Sequence, residues 1–135
     1  MAITQQKLRE IVFQLLYSYD FAQNSPDEMI PFLMAYYAIP KKALFIAEEK
    51  KKLIVSKLPE IDALIAETSL AYEFSRISRI EKNILRLGLF EIYFSEDIPD
   101  KVSISEAIRL ARKFSTPEGA TFVNAILDIL YKKKK

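Results

Sequence analysis

The sequence predicts an all-α fold. Only two of the 135 residues are glycine, and the six prolines lie at or near the apparent helix boundaries, which is typical of helices joined by short connections. The stretch over residues 78–94 carries apolar residues around more than half of a helix circumference, so we expect a central helix contacted from at least two sides. A chain of this length can bury roughly two-thirds of its unfolded surface. We therefore expect seven helices in a single domain over residues 1–135.

The first helix is predicted over residues 4–22, where apolar residues recur at spacings of three and four. Its other face carries basic, amide and aromatic groups, namely Lys7, Arg9, Phe13, Gln14 and Tyr17. Aromatic rings among such groups can stack on unpaired bases while the cations hold phosphates. Alternatively, Phe13 and Tyr17 simply pack against a second bundle.

The next three helices are marked by prolines. Ser25 and Pro26 form a helix start before a segment over 27–38, in which Pro31 either kinks the helix or marks its first turn, and Pro40 ends it. A third helix is predicted over 41–57, with the charged run at 48–52 on a solvated face. A fourth begins at Pro59, includes Leu70, Tyr72 and Phe74, and ends before Ser78.

The last three helices are marked by capping residues. Ser78 and Glu81 form a capping box for the central helix, in which Gly88 predicts close approach of a neighbouring backbone. A second box, Ser103 with Glu106, predicts the start of the sixth helix, and Thr116-Pro117-Glu118 predicts the start of the seventh. We expect two sub-bundles, over 1–57 and 59–131, followed by a disordered lysine tail over 132–135.

Composition excludes several classes of site. The chain has no cysteine and no histidine, which removes disulfides, thiol nucleophiles, imidazole acid–base chemistry and the usual zinc ligands. Few routes to catalysis therefore remain, and we predict no metal and no cofactor. Apolar runs are too short for a membrane span, and the N-terminus lacks the features of a signal peptide, so we expect a cytoplasmic protein without membrane contact.

The net charge indicates how the chain could bind nucleic acid. Outside residues 132–135, 16 basic residues stand against 18 acidic ones, a net charge of −2. The body therefore lacks a general positive field, and nucleic-acid binding would require local patches or a basic partner.

The C-terminal half contains an ordered series of segments: IEKNILRL at 80–87, DIPDKV at 97–102, SEAI at 105–108, LARKF at 110–114 and FVNAILD at 122–128. This series resembles the NusB family of bacterial transcription antitermination factors. The first helix adds Arg9-Glu10, Gln14 and Leu16-Tyr17-Ser18, whereas residues 24–75 are similar in helical pattern only. The resemblance implies two packed helical bundles and no enzymatic activity.

The resemblance also implies partners and site residues. Family members pair with NusE, a small-subunit ribosomal protein, bind the single-stranded boxA element of ribosomal RNA leader transcripts, and act in the RNA polymerase antitermination complex to support rRNA transcription. It places RNA contacts at Lys7, Arg9, Gln14, Glu118, Thr121 and Phe122, and the NusE contact at Tyr17 and Glu81. The family often begins with several arginines, whereas this chain has Gln5, Gln6, Lys7 and Arg9, so we expect weaker RNA binding without NusE.

Three alternatives remain open at this stage. A NusB-like RNA-binding module of an rRNA methyltransferase would require the chain to be part of a longer protein. A structural homodimer without RNA binding could use Tyr17 and Phe21 as its interface. An enzyme could use Glu96 and Asp97 as acid and base, but no nucleophile or metal-ligand set surrounds them in the sequence.

Overall fold

The computed structural model describes residues 4–22, 29–69 and 74–134, and within these ranges the secondary structure is entirely helical. The all-α prediction is therefore confirmed. Seven α-helices lie in the described residues: α1 (Gln5–Ala22), α2 (Met29–Tyr37), α3 (Lys41–Ser56), α4 (Leu58–Thr68), α5 (Arg79–Phe94), α6 (Asp100–Phe114) and α7 (Pro117–Lys134).

Some predicted features fall outside the described residues. They are the helix start at Ser25 and Pro26, the apolar positions Leu70 and Tyr72, the side chain of Phe21, and the last lysine, Lys135. Among the helices that the structure describes, none is both long enough and apolar enough to cross a membrane.

The chain divides into two compact units, residues 1–56 and residues 57–135. In the first unit, α1, α2 and α3 pack against one another in pairs. Its core is formed by fully buried aliphatic side chains from all three helices, among them Ile11, Leu15, Leu33, Leu44 and Ile54.

The second unit is built around α5. This helix packs against α4, α6 and α7, as its wide apolar surface predicts. An added Cβ on Gly88 would lie 3.1 Å from Cδ1 of Leu127 and 3.5 Å from Cβ of Ala107. The predicted close approach of a neighbouring backbone at Gly88 is therefore wrong, because side chains of α6 and α7 lie against this glycine.

Three polar side chains of α5 are buried rather than solvated. Asn83, Arg86 and Glu91 are 0%, 6% and 1% exposed. The Arg86 guanidinium donates from Nε and Nη2 to the two carboxylate oxygens of Asp62 in α4, each at 2.8 Å, and from Nη1 to Oδ1 of Asn83 at 3.1 Å. The carboxylate of Glu91 accepts a 2.8 Å hydrogen bond from Ser103 Oγ in α6. Polar contacts thus join α5 to two of its neighbours.

The predicted start of α6 is wrong. The helix begins at Asp100 after Pro99, three residues before Ser103, and Ser103 is buried inside it. Oε1 of Glu106 accepts a 3.1 Å hydrogen bond from Nε of Arg109, one turn further along the same helix. The spacing of Ser103 and Glu106 resembles a capping box. The buried position of Ser103 is explained instead by its hydrogen bond to Glu91 of α5.

Two other predicted boundaries are also corrected. α4 ends at Thr68, so Phe74 does not belong to it and lies in a separate 3-10 turn, Phe74–Arg76. The lysine tail is not disordered through residue 134, because α7 continues to Lys134. Nζ of Lys134 donates to the carbonyl oxygen of Ile92 and lies 3.2 Å from the Asp100 carboxylate, which holds the end of α7 against α5 and α6.

Candidate nucleic-acid and partner interface

The first turn of α1 places Lys7 in solvent. Thr4 caps the helix, since its Oγ1 accepts a 3.1 Å hydrogen bond from the Lys7 amide and its carbonyl accepts a 3.0 Å bond from the Leu8 amide. The Lys7 side chain is exposed and forms no ion pair within the described ranges. Its ammonium group is therefore accessible to a phosphate.

Arg9 and Phe13 do not share that exposure. Arg9 is 5% exposed and Phe13 is 3% exposed, so neither presents an open surface for base stacking. Tyr17 remains 36% exposed, and its ring centroid lies 6.4 Å from that of Phe13 with the planes tilted by 39°. Of the two alternatives for this face, packing applies to Phe13, which belongs to the core, whereas Tyr17 still offers one side of its ring.

Gln14 is held by an internal hydrogen-bond chain. Its Nε2 donates to the phenol oxygen of Tyr37, and that phenol donates to Oε1 of Glu10 at 3.0 Å. Burial, followed by the negative charge of Glu10, raises the pKa of the Tyr37 phenol above its ordinary value, so the phenol stays protonated and remains a donor. Gln14 therefore orients Tyr37, a role that the sequence pattern does not indicate.

The N-terminus of α7 is formed by local sequence, as predicted. Oγ1 of Thr116 accepts a 3.0 Å hydrogen bond from the Gly119 amide, and Pro117 occupies the first helical position. Glu118 and Thr121 are exposed on the first turns, and Phe122 is half-buried. Oγ1 of Thr121 donates back to the carbonyl of Pro117 at 3.1 Å.

Glu81 reaches this same helix end from α5. Its amide donates to Oγ of Ser78 at 3.1 Å, which confirms the cap, but its carboxylate does not complete the predicted capping box. Instead, Oε2 of Glu81 accepts a 2.8 Å hydrogen bond from Oγ of Ser115. The carboxylate is therefore directed toward the start of α7.

Gly119 provides the space that this carboxylate needs. A Cβ added at Gly119 would lie 2.7 Å from Oε2 of Glu81 and 2.5 Å from Oγ of Ser115, closer than ordinary contact allows. Ser115 and Gly119 are thus site residues that the sequence interpretation missed. The signal in the sequence is a glycine in the first turn of a helix. The helical backbone does not require glycine at this position, so its presence indicates that a neighbouring group approaches closely.

A recess of about 220 Å³ joins these groups. It is lined by Ile77, Glu81, Thr116, Glu118, Gly119 and Phe122. The structure therefore brings together one residue predicted for the partner contact, Glu81, and two predicted for RNA, Glu118 and Phe122. Two carboxylates beside a half-exposed aromatic ring can accept hydrogen bonds from cationic side chains or from base amino groups.

The remaining predicted residues are not among those that line the recess. Thr121 lines a separate groove beside it. Lys7, Arg9, Gln14 and Tyr17 belong to the first compact unit.

Comparison with known proteins identifies relatives over nearly the whole chain. The profile of the NusB family matches residues 6–132. The transcription antitermination protein NusB of Chlamydia pneumoniae is 39% identical over 127 residues, covering 94% of this chain and 79% of the relative. NusB of Geobacter sp. (strain M21) is 35% identical over 133 residues, covering 93% of this chain and 92% of the relative.

Solved structures agree with these relatives. A structure of T. maritima NusB superposes with a TM-score of 0.85 at 30% identity and covers 98% of this chain and 94% of that one. A crystal structure of the antitermination factors NusB and NusE in complex with dsRNA matches with a TM-score of 0.81 at 25% identity, covering 96% of each chain.

Proposed function

The chain belongs to the NusB family, which is non-enzymatic, and from that premise we propose that it is an RNA-binding transcription antitermination factor. With NusE, it binds the boxA element of ribosomal RNA leader transcripts in the cytoplasm and supports rRNA transcription as part of the RNA polymerase antitermination complex. The solved complex of NusB and NusE with dsRNA supports this combination of partners.

The observation that carries the proposal is the recess at the start of α7. It brings Glu81, Glu118 and Phe122 together, although Glu81 precedes the other two by more than 35 residues in the sequence. A partner contact and an RNA contact would thus be adjacent in the second unit. This arrangement favours a composite surface, on which the bound partner and the RNA are neighbours.

Electrostatics favour a basic protein partner. The Glu81 carboxylate is fixed by Ser115, so it is preorganised to accept a hydrogen bond from a lysine or arginine of NusE. A basic partner would also supply phosphate contacts that a near-neutral body lacks.

The RNA contacts of this chain are accordingly few. Lys7 offers an exposed cation, and Thr121 offers an exposed hydroxyl, but Arg9 is nearly buried. We therefore propose that this chain contributes hydrogen bonding and stacking at Thr121 and Phe122, and that NusE contributes most of the affinity.

The test compares two substitutions at the recess. Glu81→Ala removes the carboxylate and is expected to lower the affinity for NusE at low salt by about tenfold, since a preorganised charged contact contributes on the order of 1.5 kcal/mol. Ser115→Ala keeps the Glu81 carboxylate but removes the hydrogen bond that fixes it. We therefore expect the affinity for NusE to fall, but by less than in Glu81→Ala. Isothermal titration calorimetry with purified NusE measures both.

The matched control is Glu96→Ala, which removes the same charge from an exposed turn residue of the second unit. It should bind NusE as wild type does. Equal dissociation constants for wild type, Glu81→Ala and Glu96→Ala at every salt concentration would contradict the assignment of the recess to NusE.

A further inference from the structure

A long groove follows the outer faces of α6 and α7, which pack side by side. It consists of two depressions of about 570 Å³ and 420 Å³ that share Ile108 and Arg112. We call this the α6–α7 groove. Its polar lining residues are Lys101, Ser105, Glu106, Arg109 and Arg112 from α6, and Thr121, Asn124, Asp128 and Tyr131 from α7.

The lining residues form regular stripes along both helices. Lys101, Ser105 and Arg112 lie at intervals of four and seven on α6, and Thr121, Asn124 and Tyr131 lie at intervals of three and seven on α7. At 1.5 Å per residue, the wall from Lys101 to Arg112 is about 16 Å long. That length matches roughly five stacked nucleotides at 3.4 Å each.

The groove has a net positive charge that is not compensated internally. Lys101 and Arg112 are exposed and form no ion pair with any residue in the described ranges. The two carboxylates on the walls are already paired, Glu106 with Arg109 at 3.1 Å and Asp128 with Lys132 at 3.0 Å. Two cations are therefore available to an anionic ligand.

We propose that the α6–α7 groove binds single-stranded RNA that continues beyond the boxA contact. This inference rests on the proposed function and extends it, because Thr121 belongs both to the groove and to the proposed RNA surface. Lys101 and Arg112 contact successive phosphates, Ser105 and Asn124 provide hydrogen bonds to sugar or base edges, and Tyr131 at the far end offers an aromatic edge.

RNA fits this lining better than an acidic protein segment does. A carboxylate-rich peptide would use the two cations alone, whereas hydroxyl groups on both walls and the Asn124 amide on α7 match the mixed donors and acceptors of a nucleotide. Cations spaced along a groove beside aromatic and amide groups are typical of single-strand binding.

The experiment measures how much RNA length contributes to binding in the presence of NusE. The wild-type chain and the double variant Lys101→Ala/Arg112→Ala are titrated with a core boxA RNA and with the same RNA extended by five nucleotides at either end. We expect one of the extensions to raise the affinity of the wild type, and we expect neither to raise that of the variant.

The salt dependence gives the size of the effect. Each lost single-strand phosphate contact removes about 0.7 from the log–log salt slope, so two contacts reduce it by about 1.4. Between about 1 M and about 0.1 M salt, the wild type should therefore gain about 25-fold more affinity than the double variant does. The variant Lys101→Arg/Arg112→Lys keeps both charges and should retain the wild-type slope. The charge-matched control Lys41→Ala/Lys42→Ala alters exposed lysines of α3 and should also retain the slope.

The outcomes separate this inference from the proposed function. Binding of the core RNA by the wild type, with no gain from either extension or with an equal gain in the double variant, overturns the groove assignment and leaves the proposed function standing. Failure of the wild type to bind any of the RNAs overturns both. Weaker binding of a polyglutamate peptide to the double variant, with RNA binding unchanged, would assign the groove to an acidic protein segment instead.

Discussion

At the scale of single residues, the most consequential contacts are those of the buried polar side chains on α5. Helical periodicity shows where polar residues interrupt an apolar surface, but it does not show which of them are buried. Arg86 is buried with Asp62 of α4 as its partner, and Asn83 accepts a hydrogen bond from Arg86. A partner 24 positions away in sequence cannot be identified from spacing alone. Ser115 and Gly119 were missed for the same reason, since their roles depend on where the Glu81 carboxylate lies.

The Arg86–Asp62 pair supports a stability prediction. The Arg86 side chain is 8% exposed and that of Asp62 is 25% exposed, so Asp62→Ala would leave a nearly buried guanidinium without its carboxylate. We expect the free energy of unfolding to fall by about 3 kcal/mol. Chemical denaturation followed by circular dichroism measures this change.

A nearby exposed carboxylate serves as the control. Glu60 is separated from Lys57 by 4.0 Å and its side chain is 58% exposed, so Glu60→Ala should change the stability by less than about 0.5 kcal/mol. Equal denaturation midpoints for Asp62→Ala and Glu60→Ala would show that the buried pair contributes no stability.

At the scale of secondary structure, helix ends that depend on neighbouring residues were predictable. Ser78 and Thr116 each cap a helix within three residues, and both starts are confirmed. The start of α6 was not predictable in this way, because Ser103 has the sequence context of a cap but forms its hydrogen bond with Glu91, 12 residues earlier. The continuation of α7 to Lys134 likewise depends on Ile92 and Asp100.

The end of α2 gives a prediction at this scale. Ala38 follows the helix with φ of 52°, in the left-handed region, and the Ile39 amide donates to the carbonyl of Met34 at 3.2 Å. This is the position where glycine is strongly favoured, because a Cβ in that conformation costs about 1–2 kcal/mol. Ala38→Gly removes this conformational cost from the folded state but increases the entropy of the unfolded chain. We expect a net rise of about 1 kcal/mol in the free energy of unfolding.

Thermal unfolding of Ala38→Gly tests this expectation against Ala66→Gly. Ala66 is an exposed residue inside α4, where the same substitution should lower stability by about 1 kcal/mol. A lower melting temperature for both variants would contradict the conformational explanation at Ala38.

At the scale of the whole molecule, ordered apolar spacings and caps predicted the fold class, whereas the resemblance to the family rested on the ordered series of motif segments between residues 80 and 128. It did not separate exposed from buried members of the first helix, so Lys7 and Arg9 were grouped although only Lys7 is open to solvent. Because the Arg9 side chain is nearly buried, the start of α1 offers fewer accessible cations than its residue types alone indicate. We therefore propose that phosphate contacts come mainly from NusE, from the α6–α7 groove, or from both.

The most direct test of this account is titration of the chain into a boxA-type RNA, alone and with NusE, at two salt concentrations. We expect tight binding only when NusE is present, with a steeper salt dependence for the complex than for this chain alone, because the partner adds phosphate contacts. Equally tight binding without NusE, or no binding with it, would contradict the central claim that RNA is held by a surface composed of both proteins.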